Sequence, residues 1–248
     1  MEITIILLAA FGAGVLNTIA GGGTFLTFPA LVFIGVPPVI ANATSALAVF
    51  PGYLSGAVGF KDELGNFDRP QIIRLVLLTL LGGLIGSMLL LVSSNEAFSI
   101  VVPFLLLGAT LVFLFGEKIR TWAAENSKGV TPFGSVGLIL VSIYGGYFNG
   151  GLGIVLLALF ALWGMTNIHE MNGLKNGLSF ALSAISVAIF AIGGLIEWPY
   201  ALAMMVASTI GGYMGAPIAR AMPKSAVRSL IAFVGFTMSA VFFWRLIT

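Results

Sequence analysis

The 248-residue sequence contains no cysteine and little charge, since only 8% of its residues are acidic or basic. Without cysteine, the chain has no disulfide framework and no thiolate for metal or redox chemistry. Soluble domains contain about 25% charged residues, whereas 59% of this sequence is hydrophobic and its mean hydropathy is +1.10. The net charge of +2 is too small to indicate a nucleic-acid partner. The composition therefore predicts a protein embedded in a lipid bilayer.

Carboxylates are missing from the apolar runs. All nine acidic residues lie in polar loops, at the ends of apolar runs or at the N-terminus. Because carboxylates inside a membrane serve as proton relays and cation ligands, their absence disfavours cation transport and carboxylate-coupled proton symport. The sequence also offers no Ser-His-Asp set within the spans and no HExxH pattern, so we predict that it is not an enzyme. His169 and Glu170 are too few to bind a metal, and we expect no metal and no cofactor.

Apolar runs of about 20 residues, enough to cross about 30 Å of hydrocarbon, recur along the whole chain. They predict an all-α polytopic membrane protein. Glycines interrupt two of the longer runs, at Gly21–Thr24 and at Gly150–Gly153. The legs on either side of each break are too short to span a bilayer comfortably, because a helix rises only about 1.5 Å per residue. Each break therefore predicts a hairpin of two short helices, and irregular backbone at membrane depth indicates a lined cavity.

The second half of the sequence repeats the first at an offset of about 130 residues. Gly14–Asn17 matches Gly146–Asn149, Asn42–Ser45 matches Asn172–Lys175, and Gly82–Gly86 matches Gly211–Gly215. We predict two repeats, each a glycine-broken hairpin plus three transmembrane helices, with about eight full or near-full apolar segments and ten helical pieces in all. Repeat 1 is residues 1–116 (hairpin 3–36, spans 39–60, 71–92 and 97–116), a cytoplasmic linker is 117–131, and repeat 2 is 132–248 (hairpin 133–165, spans 172–196, 199–219 and 226–247).

The basic residues predict the topology. Nine of the 11 lie in or beside the loops 61–70, 117–131 and 220–228, and none lies in the loops 93–96 and 195–198. If each hairpin returns to the side from which it entered, the three basic loops share the cytoplasmic side, as the positive-inside rule requires. Each repeat then crosses the membrane three times, so the two repeats are inverted relative to one another and both termini lie outside.

Polar residues at the two hairpin tips and at the starts of the following spans are the candidate binding site. Glycines allow a ligand to approach the backbone, and helix N-termini with amide and hydroxyl groups favour an anion. Lys175 is a basic residue within an apolar span, which makes it a functional candidate unless it reaches the interface. The alternative for the tip glycines is close helix packing, which we favour for Gly82, Gly83, Gly86, Gly211, Gly212 and Gly215. The candidate substrate-binding residues are Asn17, Gly21, Gly22, Gly23, Thr24, Asn42, Thr44, Ser45, Asn149, Gly150, Gly151, Asn172 and Lys175.

Two sets of motifs resemble a known family. Asn17–Thr24, Pro29, Gly35–Pro38 and Asn42–Ser45 are similar to the first half of the sulfite exporter TauE/SafE family of membrane transporters. Gly150–Gly153 and Asn172–Asn176 resemble its second-half motif. The resemblance implies a bacterial or archaeal inner-membrane protein that handles sulfite, sulfonates or related small organosulfur anions. Substrate and direction vary within the family, so it implies the class of anion only.

The sequence thus predicts a secondary transporter or facilitator that exports a small anion, with sulfite, a sulfonate or a related organosulfur anion as substrate. Export of an anion gains about 2.3 kcal/mol per charge per 100 mV of inside-negative potential, so no coupling ion is needed. Four alternatives remain: cation-coupled uptake of such an anion, a membrane-embedded enzyme, a membrane assembly protein without transport activity, and transport of a cation. The expected partners are the anion and the inner (plasma) membrane, and a homodimer is compatible with the sequence.

Overall fold

The computed structural model describes residues 2–19, 22–126, 131, 133–221 and 224–247. Over these residues the chain forms eleven helices and no strand. The helices are α1 (Glu2–Ile19), α2 (Thr24–Phe33), α3 (Pro38–Gly59), α4 (Lys61–Leu64), α5 (Arg69–Val92), α6 (Asn95–Glu125), α7 (Ser135–Phe148), α8 (Leu152–Leu162), α9 (Ile168–Ile192), α10 (Trp198–Ala221) and α11 (Lys224–Ile247). The predicted all-α fold class is confirmed.

Local sequence explains where these helices begin and end. Pro37 and Pro38 separate α2 from α3, with Pro38 in the first turn of α3, where its missing N–H costs nothing. Ser94 and Asn167 cap α6 and α9 through side-chain oxygens that accept from Ala97 N (3.1 Å) and His169 N (3.0 Å). Asn149 ends α7 in the left-handed region, with a φ of 49°. The two predicted hairpins are thus the pairs α1–α2 and α7–α8.

Two polar segments are more helical than the sequence predicted. The structure has eleven helices in its described part rather than ten helical pieces, because the loop at 61–70 contains the one-turn helix α4. Helix α6 continues to Glu125, so much of the 117–131 segment is helix rather than linker. Residues 117–125 contain neither glycine nor proline and are mostly good helix formers. Residues 127–130 and 132 lie outside the described part of the chain.

The exterior of the bundle is apolar. Helices α5, α6 and α9 are each long and apolar enough to cross a membrane, and shorter apolar helices accompany them, among them α2, α7 and α8. Large side chains such as Val92 and Ile192 are 79% and 89% exposed. Exposure of such an apolar surface to water would cost free energy, whereas lipid hydrocarbon is as apolar as the surface. This is the fold of a polytopic membrane protein.

The interior is built around the first hairpin. Phe28 of α2 is fully buried, and its ring meets those of Phe98, Phe148 and Phe242 at centroid distances of 6.3, 5.8 and 6.1 Å. These rings come from α6, α7 and α11, so the short helix α2 is enclosed by protein rather than lipid. At ten residues α2 is about 15 Å long, half the thickness of a hydrocarbon core.

Helix pairs pack in a pattern that an internal duplication would produce. The predicted duplication makes α7, α8, α9, α10 and α11 the counterparts of α1, α2, α3, α5 and α6. If each helix of a contacting pair is replaced by its counterpart, the result is another contacting pair. The pair α1–α10 corresponds to α5–α7, α3–α10 to α5–α9, α6–α8 to α2–α11, and α3–α9 and α6–α11 correspond to themselves. The two repeats and the inverted orientation of the two halves stay predictions.

Two glycines outside the tips, for which the sequence interpretation favoured packing, lie at close helix contacts. A Cβ built at Gly211 would overlap the backbone of Phe11 where α10 crosses α1. One at Gly86 would overlap Ile143 and Tyr147 where α5 crosses α7. The two crossings are counterparts in the predicted duplication, and both bring backbones together as small residues do in membrane helices. The counterpart of Gly86 is Gly215, whose surroundings the structure does not describe.

Candidate functional site: a cavity with one charged group

A cavity of about 470 Å³ lies between α1, α3, α9 and α10. Three predicted site residues line it, namely Asn17, Asn172 and Lys175. The other lining residues are Gly14, Val49, Pro51, Gly52, Ser55, Gly56, Phe60, Asn176, Ser208, Thr209, Gly212 and Tyr213. Among the residues that the structure describes, no acidic residue lines this cavity and Lys175 is the one charged residue in its wall.

Lys175 lies two turns into α9, and only 6% of its surface is exposed. Its Nζ donates to Asn172 Oδ1 at 3.1 Å. The two side chains meet because residues three apart share one face of a helix. This bond uses one of the three N–H groups of the ammonium, so the others remain available to a ligand. Lys175 is therefore buried in the wall of the cavity, and its role in binding stays a prediction.

Asn17 presents its amide nitrogen to the cavity because its oxygen is already bonded. Gly23 N donates to Asn17 Oδ1 at 2.8 Å across the first hairpin tip. A side chain at Gly23 would meet the Asn17 amide, since a Cβ there would lie 2.8 Å from Nδ2. Glycine is thus required at position 23 for the bond that orients Asn17. The tip shapes the site through Asn17, and the Gly23 N–H is used within the protein.

Two amides in the wall have their oxygens bonded within the protein and their nitrogens left for a ligand. The oxygens of Asn17 and Asn172 accept from Gly23 N and Lys175 Nζ, so their amide nitrogens remain. The hydroxyls of Ser208 and Thr209 donate to backbone carbonyls of α3 and α10. A wall with one cation, spare N–H donors and no carboxylate favours an anion, whose charge-assisted hydrogen bonds are about twice as strong as neutral ones.

The remaining predicted site residues make contacts elsewhere. Asn42 Nδ2 donates to Tyr147 O (2.9 Å), and Thr44 Oγ1 accepts from Glu197 N (3.1 Å). Ser45 Oγ bonds to Thr27 Oγ1 at 2.6 Å. None of these three lines the cavity, although all lie on α3, which also forms one of its walls.

Polar groups of the second hairpin tip bond to other groups of the protein. Asn149 Oδ1 accepts from the Tyr53 hydroxyl at 3.2 Å, and its Nδ2 lies 3.4 Å from Ser183 Oγ. The Tyr144 hydroxyl donates to Gly150 O. A Cβ at Gly150 would press on the ring of Phe148, and Gly151 has a φ of 72°, which favours glycine. Gly22, Gly23, Thr24, Gly150 and Gly151 do not line the cavity, and Gly21 lies outside the described residues.

Asn176 is a cavity residue that the candidate list omitted. Its amide packs directly against Gly56, where a Cβ would come within 2.7 Å of Nδ2. The signal was present in the sequence, because Asn172, Lys175 and Asn176 are spaced i, i+3 and i+4 and so share one helix face. No sequence pattern indicated that Ser55 and Tyr213 line the cavity, because their positions depend on how α3 and α10 pack against α9.

Comparison with known proteins places this chain in a transporter family. Residues 6–242 match the family described as Sulfite exporter TauE/SafE, and the chain belongs to that family. It is 30% identical over 246 residues to a "Probable membrane transporter protein" of Haemophilus influenzae, covering 97% of this chain and 96% of the relative. It is 26% identical to "Probable membrane transporter protein YfcA" of Escherichia coli K12, covering 95% and 87%, and 25% identical to a Sinorhizobium "Probable membrane transporter protein ORF9", covering 93% and 88%. No solved structure matches the chain.

Proposed function

We propose that this chain exports a small anion across the inner membrane by way of the cavity beside Lys175. Sulfite, sulfonates and related organosulfur anions are the substrate class. The observation that carries the proposal is the wall of the cavity, which has one cation, spare amide donors and no carboxylate. A cation would find no ligand of opposite charge among these residues.

The position of the cavity supports export. Phe60, at the end of α3, lines the cavity and directly precedes α4 in the charged loop 61–70. The positive-inside rule predicts that this loop is cytoplasmic, so we infer that the cavity loads from the cytoplasm. The inside-negative potential then favours movement of the anion outward by about 2.3 kcal/mol per charge per 100 mV.

Flux measurements in reconstituted vesicles test the proposal. We expect sulfite or a small sulfonate to leave vesicles that contain the protein, faster when a potassium diffusion potential makes the interior negative. Empty vesicles are the control for leakage. A flux that requires a co-transported cation would replace export with coupled uptake, and no flux of any sulfur oxyanion would contradict the proposal.

Asn17→Ala is expected to reduce sulfite flux severalfold, because it removes an amide donor from the cavity and the acceptor that orients Gly23. Thr209→Ala is the matched control. It also alters a cavity residue, but the Thr209 hydroxyl already donates to Met205 O at 2.7 Å and is not available to a ligand. Flux assays on both variants, each normalised to the amount of reconstituted protein, check the prediction. Equal flux in the two variants would remove Asn17 from the site.

A further inference from the structure

Five buried polar side chains have an atom without a hydrogen-bond partner in the part of the chain that the structure describes. The atoms are Asn42 Oδ1, Thr79 Oγ1, Ser142 Oγ, Ser179 Oγ and Ser186 Oγ. Each of these residues is at most 2% exposed. Buried polar groups are normally bonded, so a group of them without partners calls for a physical reason.

Four of the five are the repeat counterparts of residues that line the cavity. The offset of about 130 residues matches Asn42 with Asn172, Thr79 with Ser208, Ser179 with Val49 and Ser186 with Gly56. The fifth, Ser142, matches Ala10, which does not line the cavity. The unpartnered atoms therefore follow the duplication rather than a general excess of buried hydroxyls.

We propose that these residues form a second half-site, the counterpart of the cavity, which is occluded in this structure and opens to water in another state. Asn42, Thr79, Ser179 and Ser186 are its walls. In the open state water or a ligand bonds the atoms that here have no partner, which explains why the residues at these positions are polar.

Contacts around the second half-site occupy its polar groups with other protein groups. Asn149 is the counterpart of Asn17, and both ends of its amide face protein groups, namely the Tyr53 hydroxyl and Ser183 Oγ. By contrast, Asn17 bonds Gly23 through its oxygen and keeps its nitrogen for the cavity. One tip thus presents its amide to a cavity while the matching tip is sealed.

A stacked aromatic pair separates the two half-sites along α3 and α9. The rings of Phe50 and Phe180 lie 4.9 Å apart and 8° from parallel. The two residues are 130 positions apart and are counterparts of each other, so the pair lies on the axis that relates the repeats. Their neighbours in the chain divide between the half-sites, with Val49 and Pro51 in the cavity and Ser179 in the occluded one.

The second half-site faces the side opposite the cavity. Near the start of α3, Val39 N donates to Asn95 Oδ1 (3.2 Å) and Thr44 Oγ1 accepts from Glu197 N (3.1 Å). Asn95 and Glu197 belong to the loops 93–96 and 195–198, which carry no basic residue. These bonds cover the half-site on the side that the charge pattern predicts to be external.

The two half-sites differ in charge. The counterpart of Lys175 is Ser45, whose hydroxyl bonds to Thr27, so the second half-site offers only amides and hydroxyls. It binds the same small anion as the cavity, and does so without a cation. The identity of this anion rests on the proposed function. A transported ligand must bind tightly enough to enter and weakly enough to leave. Because the second half-site has no cation, it binds the anion more weakly and so allows its release.

Cysteine accessibility tests the proposal, and the absence of native cysteine makes every introduced thiol unique. Ser179→Cys and Thr79→Cys are expressed in intact cells and exposed to a membrane-impermeant charged methanethiosulfonate. Ser142→Cys is the matched control, because Ser142 is equally buried and unpartnered but has no counterpart in the cavity. Ser55→Cys reports the cavity itself in inside-out membranes.

We expect Ser179→Cys and Thr79→Cys to react from outside at least tenfold faster than Ser142→Cys. Equal rates in all three variants, slow or fast, would overturn the second half-site. Two labelled positions keep the test decisive if one variant does not fold, which size-exclusion chromatography of the purified protein reveals. Labelling without sulfite flux would reject the proposed substrate and keep the half-site, whereas flux with unreactive cysteines would reject the half-site alone.

Discussion

Lys175→Gln is expected to weaken the binding of sulfite or a small sulfonate by about tenfold to hundredfold, with a matching loss of flux at low substrate. A hydrogen bond to a charged group contributes roughly 1.5–3 kcal/mol, and each 1.4 kcal/mol is about tenfold in affinity. Lys175 is the one charged residue among the described residues of the cavity wall, so none of these neighbours replaces it. Ligand-induced thermal stabilisation of the purified protein measures the change directly.

The same experiment separates a binding role from a structural one. A buried lysine costs about 2.5–3.5 kcal/mol at the centre of a membrane helix, so the variant without anion should be at least as stable as the original protein. Lys118→Gln is the control, because Lys118 is exposed near the end of α6. Loss of stability without anion, together with unchanged anion-dependent stabilisation, would contradict a binding role for Lys175.

Gly211→Val is expected to have the largest effect on folding. A Cβ at position 211 would lie 3.0 Å from Phe11 Cα and closer still to its carbonyl, so α10 and α1 would have to separate. Overpacking lowers stability by about 1–3 kcal/mol when neighbouring side chains can move aside. Here the added group would meet backbone atoms, which cannot move aside as a side chain can. We expect a lower melting temperature, by roughly 5 °C or more, and a smaller monodisperse fraction after purification.

Gly108→Val is the matched control for that substitution. Gly108 also lies within a helix, but a Cβ there would meet no atom within 4 Å. Its variant should purify and melt like the original protein. Gly86→Val, at the matching crossing of α5 and α7, should reproduce the defect of Gly211→Val. If Gly211→Val and Gly108→Val melted alike, the close crossing of α1 and α10 would not support the fold.

The sequence located most of the helices because two simple signals coincide. Long apolar runs predict spans, and glycines or prolines between them predict breaks, as at Gly150 and at Pro37. The exceptions are polar. The segment 117–125 was interpreted as linker because it is charged, yet it continues α6, since helix propensity does not depend on polarity and no breaker occurs before Gly129.

The residues that line the cavity were predicted in part. Lys175 and Asn172 were found because a lysine within an apolar run is exceptional, and Asn17 because it precedes a glycine break. The sequence treated the two tips as equivalent, since their motifs match. The structure distinguishes them, because the Asn17 amide faces a cavity whereas the Asn149 amide is bonded to Tyr53. Which of two similar half-sites is open depends on helix positions, and local sequence does not encode them.

By itself, the sequence determined that the chain is helical, apolar and without carboxylates in its apolar runs. Each of these properties is additive along the chain and can be read one segment at a time. Only the tertiary structure decided that Lys175, from one half, and Asn17, from the other, line the same cavity, and that Ser179 and Thr79 are buried without partners. These facts arise from the packing of α3 against α9 and of α1 against α10, which are contacts between distant parts of the chain.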